Sequence, residues 1–155
     1  MGIHQDEPAV ARWDGGLKVT TRHANGLEIS TDMPAELGGE ANQVSPGWLL
    51  RAALASCLAT RVAMEAAEAG VVITRLEVMA KSTSDARGLL GMMGDNGDPI
   101  APAPSEVTLE VRIGAAEVPG ERLRAMIDES FRRSPVSAAI EPAIPLRLHV
   151  DIEAS

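Results

Sequence analysis

The stretch LLRAALASCLATRV, residues 49–62, carries the only cysteine of the chain, Cys57. Its alanine- and leucine-rich setting reads as a helix, so the side chains that share its face sit three, four and seven residues away. Leu50, Ala53 and Leu54 precede it on an apolar stripe, and Arg61 follows at i+4. Helical side chains lean toward the N-terminus, so the Arg61 guanidinium can fold back over the sulfur. Glu65, four residues beyond Arg61, competes for the same guanidinium. A thiol beside a guanidinium is an activated nucleophile; a thiol among alanines is a small core residue. Both readings stand at this level.

Reactivity sets a demand. At an ordinary thiol pKa of ~8.5 only about 3% is ionised at pH 7. Ionising ~90% needs a pKa of about 6, a shift worth ~3.4 kcal/mol. Cys57 is about the twelfth residue of its helix, too far along for the dipole of the first turn to help. Burial among alanine and leucine works in the wrong direction. One close, poorly solvated arginine supplies a shift of about 1–3 units, so a working Cys57 needs such a partner.

Other chemistries are poorly supplied. The three histidines, His4, His23 and His149, lie far apart and match no metal-ligand spacing, so no metal and no cofactor is expected. A net charge of −8 argues against nucleic acid as a partner. No run of 18 apolar residues is present, which argues against a membrane span. The segment MGIHQDEPAV has neither the basic nor the apolar region of a signal peptide, and one cysteine cannot make an internal disulfide. A cytoplasmic protein is expected. Apolar residues make up 45% of the 155, yet Phe131, Trp13 and Trp48 are the only aromatics. Such a small-residue core gains area by association, so an oligomer is expected.

These residues need elements to position them. VARWDGGLKVTTR, ANG and LEIS read as a hairpin or a three-strand meander. Ser45 and Pro46 open a helix as N-cap and first position, and Gly70 ends it after roughly 24 residues, or ~36 Å. VVITRLEVMAKS reads as a strand, and EVTLEVRIG puts Val107, Leu109, Val111 and Ile113 on one face of a strand that pairs with it. VPGERLRAMIDESFRRS reads as a second long helix, SPVSAAI as a further helix, and IPLRLHVDIE as a closing strand. The result is one α+β domain over 1–155, in the order β-β-β-α-β-β-α-α-β. Between the two middle strands, residues 88–104 form a Gly- and Pro-rich segment carrying Leu89, Leu90, Met92, Met93 and Ile100. It reads as a hairpin tip or short surface helix, or as a lid over a site or a dimer contact.

DMPAELGGEANQVSPGWLLRAALASCLATRV, EAGVVITRLEVMAKS and SFRRSPVSAAI, in that order, resemble the OsmC/Ohr family, the osmotically induced and organic hydroperoxide resistance proteins of bacterial stress responses. They match its Gly-Gly loop, its Ser-Pro helix start, its first-cysteine helix and its second-cysteine segment, from about residue 10 onward. The resemblance implies a swapped α+β homodimer, with antiparallel sheets from both chains wrapped around two long central helices. It implies reduction of small organic hydroperoxides by the first cysteine, resolved as a disulfide with the second and reset by a dithiol, often lipoyl-linked. An arginine stabilises the thiolate, and a glutamate just after the helix-opening proline holds that arginine.

Residue by residue, Cys57 matches the peroxide-attacking cysteine, and Ser134 stands at the resolving position, where a hydroxyl cannot form a disulfide but can cap the helix begun by Pro135. Gly47 and Trp48 stand where the family glutamate is expected. Arg22, from the N-terminal strands, is the arginine the resemblance points to, with Glu36 or Glu40 as its carboxylate; Arg61 is the geometric alternative. Trp48, Leu54, Met92 and Met93 are candidate pocket residues beside the sulfur. Two functions follow. In one, Cys57 is a single-cysteine peroxidase served by an external thiol reductant. In the other, the dimer interface binds a small lipophilic molecule without catalysis.

Overall fold

The computed structural model of the chain describes residues 2–153. The tertiary structure divides into two units, Met1–Leu50 and Arg51–Ser155. In the first, β1 (Val10–Gly15), β2 (Lys18–Arg22) and β3 (Glu28–Thr31) form an antiparallel meander, as the turn signals imply. Gly15 and Gly16 take φ of 110° and 56° at the first turn, a region closed to most side chains. At the second, Asn25 Oδ1 accepts the Leu27 N–H at 3.0 Å.

The loop after β3 is organised by one carboxylate. Asp32 is 2% exposed, and its two oxygens accept the backbone N–H groups of Met33 and Glu40, each at 2.8 Å. Burial pushes the Asp32 pKa up, but these donors, a further one from Asn42, and the nearby Lys18 charge outweigh it and hold the pKa below the usual carboxylate value. Gly39 makes the arrangement possible. A Cβ there would lie 1.8 Å from the Met33 carbonyl oxygen and 2.8 Å from Asp32 Oδ1. Lys18 closes the loop with a 2.6 Å bond to Glu40.

Helix α1 (Pro46–Glu68) begins as its sequence implies, with Ser45 Oγ accepting the Trp48 N–H at 3.2 Å. Gly70, at φ 64°, ends it: the Val71 N–H returns to the Ala66 carbonyl at 2.8 Å and the Gly70 N–H to Ala67 at 3.3 Å. This is a Schellman stop, with Val71 and Ala66 both buried. Leu54, Leu58, Val62 and Ala66 are the buried face of the helix.

In the second unit, β4 (Ile73–Thr83) and β5 (Glu106–Ala115) pair antiparallel, from Ile73 opposite Ala115 to Thr83 opposite Glu106. The alternation read in β5 is realised: Val107, Leu109, Val111 and Ile113 are at most 1% exposed. β6 (Leu146–Ile152) lies on the other side of β5, with Leu146, Leu148, Val150 and Ile152 half-buried. Its pairing corrects the expectation of purely antiparallel sheets. β6 runs parallel to β5, from Val107 opposite Leu146 to Ile113 opposite Ile152. The reason is the connection: α3 (Gly120–Arg132) and α4 (Pro135–Ile140) carry the chain back to the starting end of β5, the long crossover that parallel strands require. Leu123, Met126 and Ile127 give α3 its buried face, as its spacing implies.

The segment between β4 and β5 is not without structure. α2 (Ala86–Leu89) is capped by Asp85, which accepts the Arg87 N–H at 3.0 Å, and a bridge joins Met93 to Pro99. Leu89, Leu90, Met92 and Met93 remain exposed.

The Asp32 loop has a measurable signature. A carboxylate whose pKa falls on folding stabilises the native state above its unfolded pKa, and that stabilisation is lost as pH drops through the native pKa. Asp32→Asn is expected to lower Tm at pH 7, with the gap to wild type closing as pH falls below the carboxylate range. Thermal unfolding followed by circular dichroism across pH checks this; a gap independent of pH would contradict it.

Candidate functional site

The α1 stripe that enters the core sets where the sulfur points. At 100° per residue, Cys57 lies about 60° around the helix from Leu54, on the flank of the buried face. It is half-buried there and opens onto a cavity of 520 Å³. Ala53, Ser56, Thr60, Arg61 and Met64 line it from α1. Arg133, Pro135 and Val136 line it from the junction of α3 and α4. The wall is mainly apolar, with two guanidinium-bearing residues.

At that junction Pro135 takes the first position of α4, and Ser134 before it is fully buried. Its expected role as a side-chain cap is not what the structure has: its hydroxyl makes no cap bond to the helix backbone. Instead the Ser134 O–H donates to Cys57 Sγ at 3.3 Å. Ser137, 1% exposed, donates its own O–H to Ser134 Oγ at 3.1 Å. Ser134 therefore meets the sulfur as a hydrogen-bond donor.

Arg61 shares the cavity with Cys57, but its guanidinium is held by Glu65 one turn on, with Glu68 at 3.8 Å. Of the two partners open to it from the helical spacing, it takes the carboxylate. Its side chain is only 12% exposed, so the pair sits where water screens it poorly. Arg133 is likewise ion-paired, to Glu129.

The other expected site residues are placed as follows. Arg22 is on β2 in the first unit, largely exposed, and bonds Glu28 at 2.8 Å. Neither Glu36 nor Glu40 is its partner: Glu28 lies directly opposite Arg22 on β3, while Glu40 belongs to Lys18. Trp48 is in the first turn of α1 and 47% exposed. Leu54 is completely buried, facing the core and not the cavity, because the helix turns that side inward. Met92 and Met93 lie past α2 and do not line the cavity either.

Met64, Ala53 and Thr60 are pocket residues that the sequence reading passed over, although the i−4, i+3 and i+7 spacing from Cys57 marks them. Arg133 and Val136 had no such spacing; their one signal was to lie beside Ser134 in SFRRSPVSAAI. A larger cavity of 730 Å³ lies elsewhere, between the α2 segment and Ala143–Pro145; its hydroxyl residues, Thr83, Ser84 and Ser105, have no histidine or cysteine beside them in the lining. Its one carboxylate, Asp85, is bound by Arg87, which lowers its pKa. Among the described residues no cluster of three or more His, Cys, Asp or Glu is placed to hold a metal.

The sequence profile of the OsmC-like protein family matches residues 39–149. The chain belongs to the OsmC-like family. No curated protein matches it by sequence. Solved structures agree on the α+β fold. It is similar to an organic hydroperoxide resistance protein from Elizabethkingia anophelis, at TM-score 0.75 and 23% identity over 99% of this chain and 100% of that one. Organic hydroperoxide resistance protein OsmC from Legionella pneumophila matches at TM-score 0.70 and 18% identity, over 97% and 99%. An OsmC-like protein from Mycoplasma pneumoniae matches at 0.72 and 18%, over 99% and 98%. At such identities the likeness is one of fold.

The 3.3 Å contact makes an expected outcome for this OsmC-like chain. In Ser134→Cys, mild oxidation should join Cys57 to the introduced thiol within one chain, since a 2.05 Å bond needs only a small side-chain shift. Non-reducing mass spectrometry of tryptic peptides checks it; linkage found only between chains would contradict the placement.

Proposed function

We propose that this OsmC-like protein reduces small organic hydroperoxides with Cys57 alone, resolved by an external thiol. The observation that carries the reading is the position of the sulfur, hydrogen-bonded on one side and open on the other to a mainly apolar cavity large enough for a small organic molecule. Arg61 and Arg133 line the same wall, each paired to a carboxylate, Glu65 and Glu129.

In the proposed reaction the Cys57 thiolate attacks the terminal oxygen of R–O–O–H. An S–O bond forms and the O–O bond breaks. The alkoxide leaves, takes up a proton and becomes the alcohol, while the sulfur is oxidised by two electrons to sulfenic acid. A reductant thiol then attacks the sulfenyl sulfur, water departs, and a mixed disulfide forms. A second thiol equivalent cleaves it and returns Cys57 to the thiolate. With Ser134 at the resolving position, nothing within the site can divert the sulfenic acid into a disulfide, so peroxide excess drives it on to sulfinic acid.

The reading includes a homodimer. Ala53, Ala63, Met64 and Ala67 are exposed apolar residues of α1; with Ser56 and Thr60, which share the cavity wall with Ala53 and Met64, they form a surface against which a second copy would roof the cavity. A second function is favoured by one observation: both guanidiniums in the cavity wall are already paired to carboxylates. In that reading the cavity holds a lipophilic molecule and Cys57 only lines it.

One assay separates the two. Cumene hydroperoxide consumption with dithiothreitol should exceed the rate without protein, and Cys57→Ser should return it to that rate. Without thiol, excess peroxide should add two oxygen atoms to Cys57 by intact mass. Undiminished turnover in Cys57→Ser, or a Cys57 that stays unoxidised, ends the peroxidase reading.

A further inference from the structure

The Ser134–Ser137 pair is the least exposed polar cluster of the second unit, and neither the fold nor the peroxide chemistry as written requires it. Ser134 is 0% and Ser137 1% exposed. The two bonds run in one direction: Ser137 O–H to Ser134 Oγ, then Ser134 O–H to Cys57 Sγ, at 3.1 and 3.3 Å. A hydroxyl that accepts one hydrogen bond donates a stronger one, because each polarises the next. A donor aimed at sulfur stabilises its ionised form over its neutral form. Apolar burial alone does the reverse.

We infer that Ser134 is a positioning residue that acts on Cys57 as a thiolate-stabilising donor, polarised in turn by Ser137. The residue that cannot resolve the sulfur covalently prepares it electrostatically. This deepens the reading of Cys57 as the reacting atom and rests on it. The charged groups that face the sulfur across the cavity do not fill this role by themselves. On α1, Arg61 is paired with Glu65; at the end of α3, Arg133 is paired with Glu129. A guanidinium already neutralised by a carboxylate lends a third group little potential. The hydroxyl chain is the donor in direct contact with the sulfur, and a hydrogen bond to an ionised atom belongs to the stronger class.

The test is alkylation of the full-length native protein by iodoacetamide, followed by intact mass from pH 6 to 10. It uses no peroxide, so its outcome is independent of whether hydroperoxides are turned over. In Ser134→Ala the rate at pH 7 should fall about tenfold, and the rate–pH curve should move toward higher pH. Ser134→Thr keeps the hydroxyl and should restore most of the rate. Ser137→Ala removes the polarising donor only and should give an intermediate rate. In denaturant all the proteins should react alike. If Ser134→Ala alkylates as fast as wild type, or faster, the hydroxyl does not stabilise the thiolate and the inference fails. A Ser137→Ala protein indistinguishable from wild type overturns the relay.

Discussion

The site depends on a rotation: which side of α1 faces the core. Leu54, Leu58, Val62 and Ala66 are each no more than 2% exposed, and burying them leaves the helix one angular position. Burial of the three larger side chains is worth about 1.5–3 kcal/mol each, far more than any single polar contact of the site. Cys57, on the flank of that stripe, is thereby neither sunk in the core nor turned to solvent. It sits at the boundary, where an apolar wall and a buried hydroxyl meet an open cavity. The polar geometry around the sulfur follows from the apolar packing behind it.

The second constraint is the crossover from β5 to β6. A parallel strand requires the chain to travel back along the sheet, and α3 and α4 do this. The junction between those helices is where Arg133, Ser134 and Pro135 arrive beside α1. Pro135 begins α4 without needing a backbone donor, and Ser134, freed from side-chain capping, turns its hydroxyl to the sulfur. One turn of chain therefore serves as the helix start and as the far wall of the cavity. A serine at this place keeps a polar atom in reach of Cys57 and offers no sulfur for a disulfide.

The charge arrangement follows the same economy. Arg61–Glu65 and Arg133–Glu129 are each closed within a single helical stretch, so the cavity has cationic side chains without a free cation. Burying the Arg61 guanidinium unpaired, at 12% exposure, would be costly, and Glu65 offsets that cost while damping its effect on the sulfur. A hydroxyl carries no charge to compensate, which makes the fully buried Ser134 a workable donor.

Much of this was written locally. Ser45–Pro46 and Gly70 bound α1 because capping and left-handed glycine are short-range chemistry. The alternation of β5 and the stripe of α3 follow from fixed side-chain periods, and the i+4 spacing offered Arg61 both the sulfur and Glu65. Other parts were not legible. Nothing in IPLRLHVDIE says that β6 runs parallel to β5, since alternation is blind to strand direction. Leu54 and Cys57 share an apolar run, and only packing against the rest of the unit decides which is core and which is wall. That Ser134, 77 residues away, comes near Cys57 was implied only by the family resemblance; that its hydroxyl bonds the sulfur instead of capping α4 was not legible at all. The sequence by itself determined the helices, the strands and the setting of the one cysteine on its helix, because those depend on neighbours within a turn or a pleat. Only the tertiary structure decided what the sulfur touches and how, because that depends on the path of the crossover and on which helix face the core claims.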